Sequence, residues 1–416
     1  MTWLETSDIA LLLREAVSDF FAVEAILLDA ETAGLVRLYG RFLSDSAEAY
    51  PLARERMKRL GYTPLFREEK GRHLIIALPG QPPSSQPNLK VAGILLALTI
   101  FSTLFAGMEE YDPARSFLLN LLSGLPFAAT LLAILLAHEM GHYLVARRLG
   151  IPTTLPYFIP MPLSFLGTMG AFIQMKAPPQ NRRHLLAVGL AGPLAGLVVA
   201  IPLLILGLST AHIGPSPVDR PYFLEGNSLL YALLKMAVLG RFVPDCSLGT
   251  PETLPEIVRT ALYGCPYGQG WDVMLSPVAF AAWAGLLVTG LNLIPAGTLD
   301  GGHVAYALLG KRAQYLTWGL IAALVLLGFL WNGWFIWAAL IFLLGRRPAV
   351  PLDDVTRLKP YQVAAGIVVL IIFLLTFTPI PLTLIAPAGP PGDLVHTLGP
   401  LAGKAVPPVG LLLLGR

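Results

Sequence analysis

From residue 91 onward, long apolar runs alternate with short polar or glycine- and proline-rich breaks; before it, apolar and polar positions alternate at the spacings of soluble structure. The apolar runs cover about residues 91–107, 116–146, 185–208, 273–295, 315–330, 334–344 and 361–377. A helix needs about 20 residues to cross about 30 Å of hydrocarbon. The pattern therefore predicts a polytopic α-helical membrane protein with about six to seven transmembrane helices, the first and sixth runs being short. Residues 315–330 and 334–344 join at Trp331-Asn332-Gly333 as a helical hairpin. Residues 229–239 are apolar but too short to span, and read as interfacial.

Two segments depart from this rhythm. Residues 151–176 are apolar yet carry prolines at 152, 156, 160 and 162, which exclude a straight helix. A re-entrant or β-hairpin segment is expected, because non-helical backbone at membrane depth survives only where protein covers it or it lines a cavity. Within it, AFIQMK (171–176) reads as an edge strand, which either pairs with an extended peptide or packs inside a hairpin. The second departure is NLIPAGTLDGGH (292–303), where Asn, Pro, Gly and Asp break a helix within or near the membrane.

The N-terminal stretch reads as a small soluble α/β domain. SDIALLLREAVSDFF has a cap signal at Ser7/Asp8 and helical spacing; 35–42 alternates as a strand; SDSAEAYPLARERMKRLGY is a capped helix ending at Gly61. Residues 62–66 and 73–78 flank the turn REEKGR as a hairpin, with His73 a solvated strand residue, giving the order α-β-α-β-β. The first residues lack a basic n-region and do not read as a secretory signal. The expected organisation is a domain at 1–80, a Pro/Ser linker at 81–90, a transmembrane core at 91–345, and a C-terminal transmembrane helix with a Pro/Gly-rich tail at 346–416.

Composition agrees. Of 416 residues, 55% are hydrophobic and 13% charged, against about 25% charged in soluble domains; mean hydropathy is +0.66. A net charge of +3 is too small to suggest nucleic acid. Basic clusters at Arg147-Arg148, PPQNRRH (178–184) and Arg346-Arg347 mark cytoplasmic ends under the positive-inside rule. The N-terminal domain then lies in the cytoplasm, and residues 210–272 lie outside it. Cys246 and Cys265 sit in that outer segment, as one disulfide or as two free thiols.

The candidate chemistry is in LLAILLAHEMGHYLVARR (131–148). His138 and His142 are four apart, so on a helix both reach one ion, with Glu139 beside them. His142 precedes Arg147 by roughly 8 Å of helix, placing the cluster in the membrane nearer the cytoplasmic side. Ionisable groups in hydrocarbon are a functional-site hypothesis by default. Hydrolytic zinc sites take three protein ligands and leave a position for water. Asp300 is the preferred third ligand, since a membrane-embedded aspartate without a partner is costly; His303 is the rival. Two His and one carboxylate suit one Zn²⁺ per chain, with Glu139 as the general base that takes the water proton. Asn292 either holds the substrate backbone or oxyanion, or caps a helix end. Gly189, Gly192, Pro193 and Gly196 read as close helix packing. A different class of protein, a non-proteolytic membrane metal binder or transporter, would use the same His/Asp cluster, but transport needs no general base.

With HEMGH and LDGG each in an apolar run, the chain resembles the site-2 protease family of intramembrane zinc metalloproteases (peptidase family M50). PYFIPMP, LGTMGAFIQMK, GLAGPLAG and NLIPAGTLDGGH look like its EGY-type branch, known from chloroplasts and found also in prokaryotes. The resemblance covers about residues 90–345. It implies zinc held by His138, His142 and Asp300, catalysis by Glu139, and substrate contacts at Asn292 and along Gly170, Ala171 and Phe172. It implies a transmembrane protein as substrate, cut in the bilayer after local unwinding, often a membrane-tethered regulator, hence regulated intramembrane proteolysis. Many relatives insert a PDZ domain between the third and fourth core spans; no such pattern is present here.

Overall fold

The computed structural model describes residues 3–29, 32, 34–80, 88–109, 111–217, 221–240, 243–246, 254–265, 269–345 and 350–386. Most of the linker (81–87), Arg346-Arg347 and the tail from 387 lie outside the described residues.

The N-terminal stretch folds as α1 (Trp3–Val17), β1 (Phe21–Leu28), β2 (Val36–Phe42), α2 (Ser46–Arg59), β3 (Tyr62–Glu69) and β4 (Arg72–Pro79). The strands form one antiparallel sheet in the order β1-β2-β4-β3. Its core includes Leu13, Val36, Leu38, Tyr50, Met57 and Phe66. Strand β1 is not in the sequence reading, which runs the first helix to Phe21. The helix stops at Val17 because Phe21 is buried with Leu38 and Phe66, and FAVEAILL pairs along β2; pairing and burial override a weak helical preference. Helix α2 ends as read, with Gly61 at φ +80°. His73 is half-buried, its ring near Phe42, whose N–H donates to Nδ1 at 3.3 Å.

The apolar region contains α3 (Leu89–Ala106), α4 (Phe117–Ser123), α5 (Leu125–Arg148), β5 (Tyr157–Pro160), β6 (Thr168–Phe172) and α6 (Arg182–Ser209). There follow β7 (His212–Pro215), β8 (Tyr222–Glu225), α7 (Leu229–Leu239), α8 (Leu254–Tyr263) and β9 (Trp271–Met274). The chain continues through α9 (Pro277–Asn292), α10 (Asp300–Leu309), α11 (Ala313–Leu327), α12 (Gly333–Leu340), α13 (Pro360–Thr376) and β10 (Leu382–Ile385). Among the described residues, α3, α5 and α6 are long and apolar enough to cross a membrane, with 18, 24 and 28 residues. The other apolar helices, α7, α9, α12 and α13 among them, are shorter.

Residues 116–146, one run by hydropathy, are two helices. Pro126 has no N–H to give and its ring crowds the carbonyl four residues back, so α5 starts afresh at Leu125. Gly124 at the break lies so close to the Leu104 carbonyl that a Cβ there would overlap it. From this start α5 packs on α6 and α9, and α6 packs on α9 and α10. Leu131, Ile134, Leu197, Leu204, Trp283 and Leu286 fill the interface.

The proline-rich stretch is a hairpin of β5 and β6, antiparallel, with Tyr157 opposite Phe172. Its tip rests on α3, where the Ser102 hydroxyl donates to the Gly167 carbonyl at 2.6 Å. The strand expected at 171–176 begins earlier, at Thr168, and its regular ladder stops at Phe172. Pro156 and Pro152 supply no ladder donor opposite the later residues, and the Thr154 hydroxyl takes the Gln174 N–H instead.

Residues 210–272 contribute to two small sheets, β7 with β9 and β8 with β10. β10 lies in a tail that reads as irregular; the Trp331 and Trp334 indoles fix its approach by donating to the Leu382 and Pro379 carbonyls. Cys246 and Cys265 are joined as a disulfide.

Candidate metal centre

HEMGH lies in the second half of α5, and His138, Glu139 and His142 are all buried. Leu, Ala and Ile before it are good helix formers, and Arg147-Arg148 close the helix against its negative end. Asp300 opens α10, where the positive end of the helix favours a carboxylate.

Asp300 Oδ2 lies 3.1 Å from His138 Nε2 and 3.2 Å from His142 Nε2, and the two imidazole nitrogens are 3.2 Å apart. Tetrahedral ligands at about 2.0–2.1 Å from a zinc ion sit about 3.3 Å from one another. The three atoms thus form one face of a zinc-sized tetrahedron, whose fourth corner they leave to another ligand. Among the described residues they are the one group of three His, Cys or acidic side chains close enough to share an ion.

The tautomer follows from the neighbours. His142 Nδ1–H donates to the Val188 carbonyl at 2.8 Å, which leaves the Nε2 lone pair for a metal; ligating histidines characteristically engage a second partner in this way. His303, the rival ligand, is buried but is not part of the converging group. Its Cβ packs beside Gly189 on α6.

α6 forms the floor of the site. A Cβ on Gly192 would overlap the His142 ring, and one on Gly196 would stand 3.3 Å from His138 Nδ1. Gly141, inside HEMGH, faces the Ala191 carbonyl with no room for a side chain. Neither Gly301 nor Gly302 has a positive φ; they are needed because the 293–297 turn backs onto the first turn of α10. A Cβ on Gly301 would strike the Leu293 carbonyl, and one on Gly302 the Gly297 carbonyl. Their lack of a side chain admits a second stretch of backbone.

Glu139 lies on α5 beside the two histidines and is buried. α5 also packs against β6, so the candidate base and the strand of Gly170, Ala171 and Phe172 sit on adjacent elements. Among the described residues, β6 pairs only with β5; Gly170 is buried and Phe172 exposed. Asn292 is the last residue of α9, one turn-forming break ahead of Asp300. Its amide has no hydrogen-bond partner among the described residues and does not cap the helix. Val188 is absent from the sequence reading, and Gly192 enters it only as helix packing. The glycine stripe at 189, 192 and 196 was the available signal for α6, and it reads first as helix packing.

The sequence profile of Peptidase family M50 matches residues 126–330, which hold HEMGH, the hairpin, the glycine stripe and LDGG. Over residues 126–330, just under half of its length, this chain is similar to peptidase family M50. Its relatives are of the EGY type. The chain is 35% identical over 260 residues to "Probable zinc metalloprotease EGY2, chloroplastic" of Arabidopsis thaliana, covering 62% of this chain and 42% of that protein. It is 33% identical over 252 residues to the EGY2 protein of Oryza sativa subsp. indica, covering 60% and 41%. It is 31% identical over 265 residues to "Probable zinc metalloprotease EGY1, chloroplastic" of Arabidopsis thaliana, covering 62% and 43%. The chain thus spans less than half the length of these relatives. No solved structure matches it.

Proposed function

We propose that this chain is an intramembrane zinc-dependent endopeptidase that hydrolyses peptide bonds in transmembrane segments of membrane-anchored proteins. The observation that carries the reading is the convergence of His138, His142 and Asp300 on one point, with Glu139 beside it on a helix that packs against β6, a strand with one edge unpaired among the described residues. The names of the EGY relatives agree with it. A non-proteolytic metal carrier has no use for Glu139 or for the strand next to it.

His138, His142 and Asp300 would hold zinc, and the donor set fits: two imidazole nitrogens and one carboxylate oxygen at tetrahedral spacing. Zinc supplies Lewis acidity, acidifying water towards a pKa of about 7 and polarising a peptide carbonyl. The Val188 carbonyl holds His142 in the tautomer that ligates. Glu139 takes the proton of the attacking water and passes it to the leaving amine. An unwound substrate segment adds to β6 along Gly170, Ala171 and Phe172 by backbone hydrogen bonds. The free amide of Asn292 holds the substrate backbone or the developing oxyanion.

We read α3, α5, α6, α9, α11, α12 and α13 as the six to seven membrane crossings, the last outside the 91–345 core. Residues 1–80 form a soluble domain on the cytoplasmic side, and the catalytic group lies nearer that side. Support comes from Arg147-Arg148 at the end of α5 and from the four-stranded module beside the start of α6. The test compares the purified full chain with Glu139→Gln. Both should retain one zinc, while cleavage of a model transmembrane substrate should fall about 10²- to 10⁴-fold in the variant. A wild type that holds zinc but cuts no helical substrate across a panel, or a variant that cuts as fast as wild type, would end the protease reading.

A further inference from the structure

Nine residues after the π-helical turn Ile341–Gly345 that follows α12, Asp354 is buried at a junction of three parts of the molecule. Its Oδ1 accepts from Arg182 Nε at 2.8 Å, and its Oδ2 accepts from the Tyr306 hydroxyl at 3.1 Å. Arg182 is the first residue of α6, and Tyr306 lies in the second turn of α10. The bare Gly310, at φ +59°, leaves the space that the Arg182 guanidinium occupies. One carboxylate therefore clips α6 to α10.

Those are the two helices on which the α5 ligands depend. α10 begins with Asp300, and α6 carries the Val188 carbonyl, six residues beyond Arg182, and the Gly192 floor under His142. The Asp300 carbonyl stands 3.2 Å from where a Cβ on Gly189 would be. A small shift of α6 along α10 would thus move Asp300 relative to His142.

Asp354 is in turn anchored by the N-terminal sheet. Its backbone N–H donates to the Phe66 carbonyl at 3.1 Å, and the Phe66 N–H donates to the Leu352 carbonyl at 3.0 Å. Residues 352–354 thereby continue the edge of β3. Leu352 packs into the core of the N-terminal module, and Arg67 donates to the Leu352 carbonyl at 2.8 Å. The neighbouring Asp353 is fully buried and caps its own turn through the Val355 and Thr356 N–H groups. This is a built joint, with charged and polar groups satisfied on each side.

We infer that Asp354 is a positioning residue for the metal site, through which the N-terminal module holds the start of α6 against α10. The inference rests on the reading of His138, His142 and Asp300 as zinc ligands. Loosening the module's grip on 352–354 relaxes the ligand set, so the N-terminal domain acts on the site without touching it.

The experiment measures zinc dissociation from the full chain by competition with a chromophoric chelator, alongside kcat and KM on a model transmembrane substrate. All measurements are made below the thermal midpoint of every variant. Asp354→Ala and Arg67→Ala should each weaken zinc retention, about tenfold for Asp354→Ala, at the low end of losses seen for groups that orient ligands. kcat should fall with KM little changed. Tyr306→Phe, which removes one hydroxyl, should show a smaller loss of the same kind and serves if Asp354→Ala fails to fold. Wild-type zinc affinity in Arg67→Ala, or in both Asp354→Ala and Tyr306→Phe, overturns the inference. Absence of zinc binding and cleavage in the wild type would overturn the proposed function instead.

Discussion

Whether His142 can ligate is decided by a residue with no side chain. Gly192 on α6 leaves the volume that the imidazole fills, and the Val188 carbonyl one turn earlier fixes which nitrogen faces the metal. Gly192→Ala should therefore push His142 off its position and weaken zinc retention about 10- to 100-fold, the range for disturbed ligand orientation. Gly93→Ala on α3, where an added Cβ meets nothing, should leave it unchanged; equal zinc retention in the two variants would show that the close approach is without consequence. HEMGH itself was legible because ligand spacing on a helix is local: positions i and i+4 share a face whatever surrounds them. Val188 was not legible, because a backbone carbonyl contributes the same atoms at every residue and only the fold selects which one arrives.

At the scale of elements, residues 210–272 carry a second buried polar group. Glu225 on β8 accepts from the Tyr231 hydroxyl at 2.9 Å and lies 4.0 Å from Lys235 Nζ on α7, with Asp272 of β9 the other buried acid facing them. Burial, reinforced by Asp272 and opposed by Lys235, pushes the Glu225 carboxyl up from 4.5 to about 7. A folded-state value above the unfolded one means that the folded state binds more protons in between. The contribution is thus fully present below about 4.5 and is lost as pH rises through about 7. Thermal midpoints of the wild type should decline across that window, and Glu225→Gln should flatten the decline. A variant profile parallel to the wild type would show that Glu225 is not the group responsible. The same scale shows where hydropathy misleads. Apolar content is continuous across Gly124, yet Pro126 and the close approach to Leu104 make two helices of it. Strand β1 was hidden for the converse reason, since its pairing with β2 is a non-local contact that no window of its own sequence contains.

For the whole molecule, α6 is the ruler. Its 28 residues span about 42 Å, more than the about 30 Å of a hydrocarbon core. At its start, Arg183 reaches Asp45 of the N-terminal module at 3.4 Å; beyond its end lies the segment closed by the Cys246–Cys265 disulfide. The proposed topology puts the module and the disulfide on opposite sides of the bilayer, the module on the reducing side and the disulfide on the oxidising one. In sealed vesicles, Lys70→Cys and His212→Cys, both at exposed positions, should react with a membrane-impermeant thiol reagent from opposite faces. Labelling of both from one face would contradict the assigned orientation.

The amino-acid sequence by itself determined the apolar rhythm of a membrane core, the helical His-Glu-His cluster, the proline-broken hairpin and the candidacy of Asp300. Each is carried by spacing within one segment or by the cost of burying charge. The tertiary structure alone decided that Asp300 and not His303 meets the two imidazoles, that the α6 glycines form the floor of the site, and that residues 350–358 join the N-terminal sheet to α6 and α10. Those contacts link residues up to some 300 positions apart, as in the pairing of Ser46 with Thr356. Their partners are chosen by how packed helices approach one another, which no local pattern encodes.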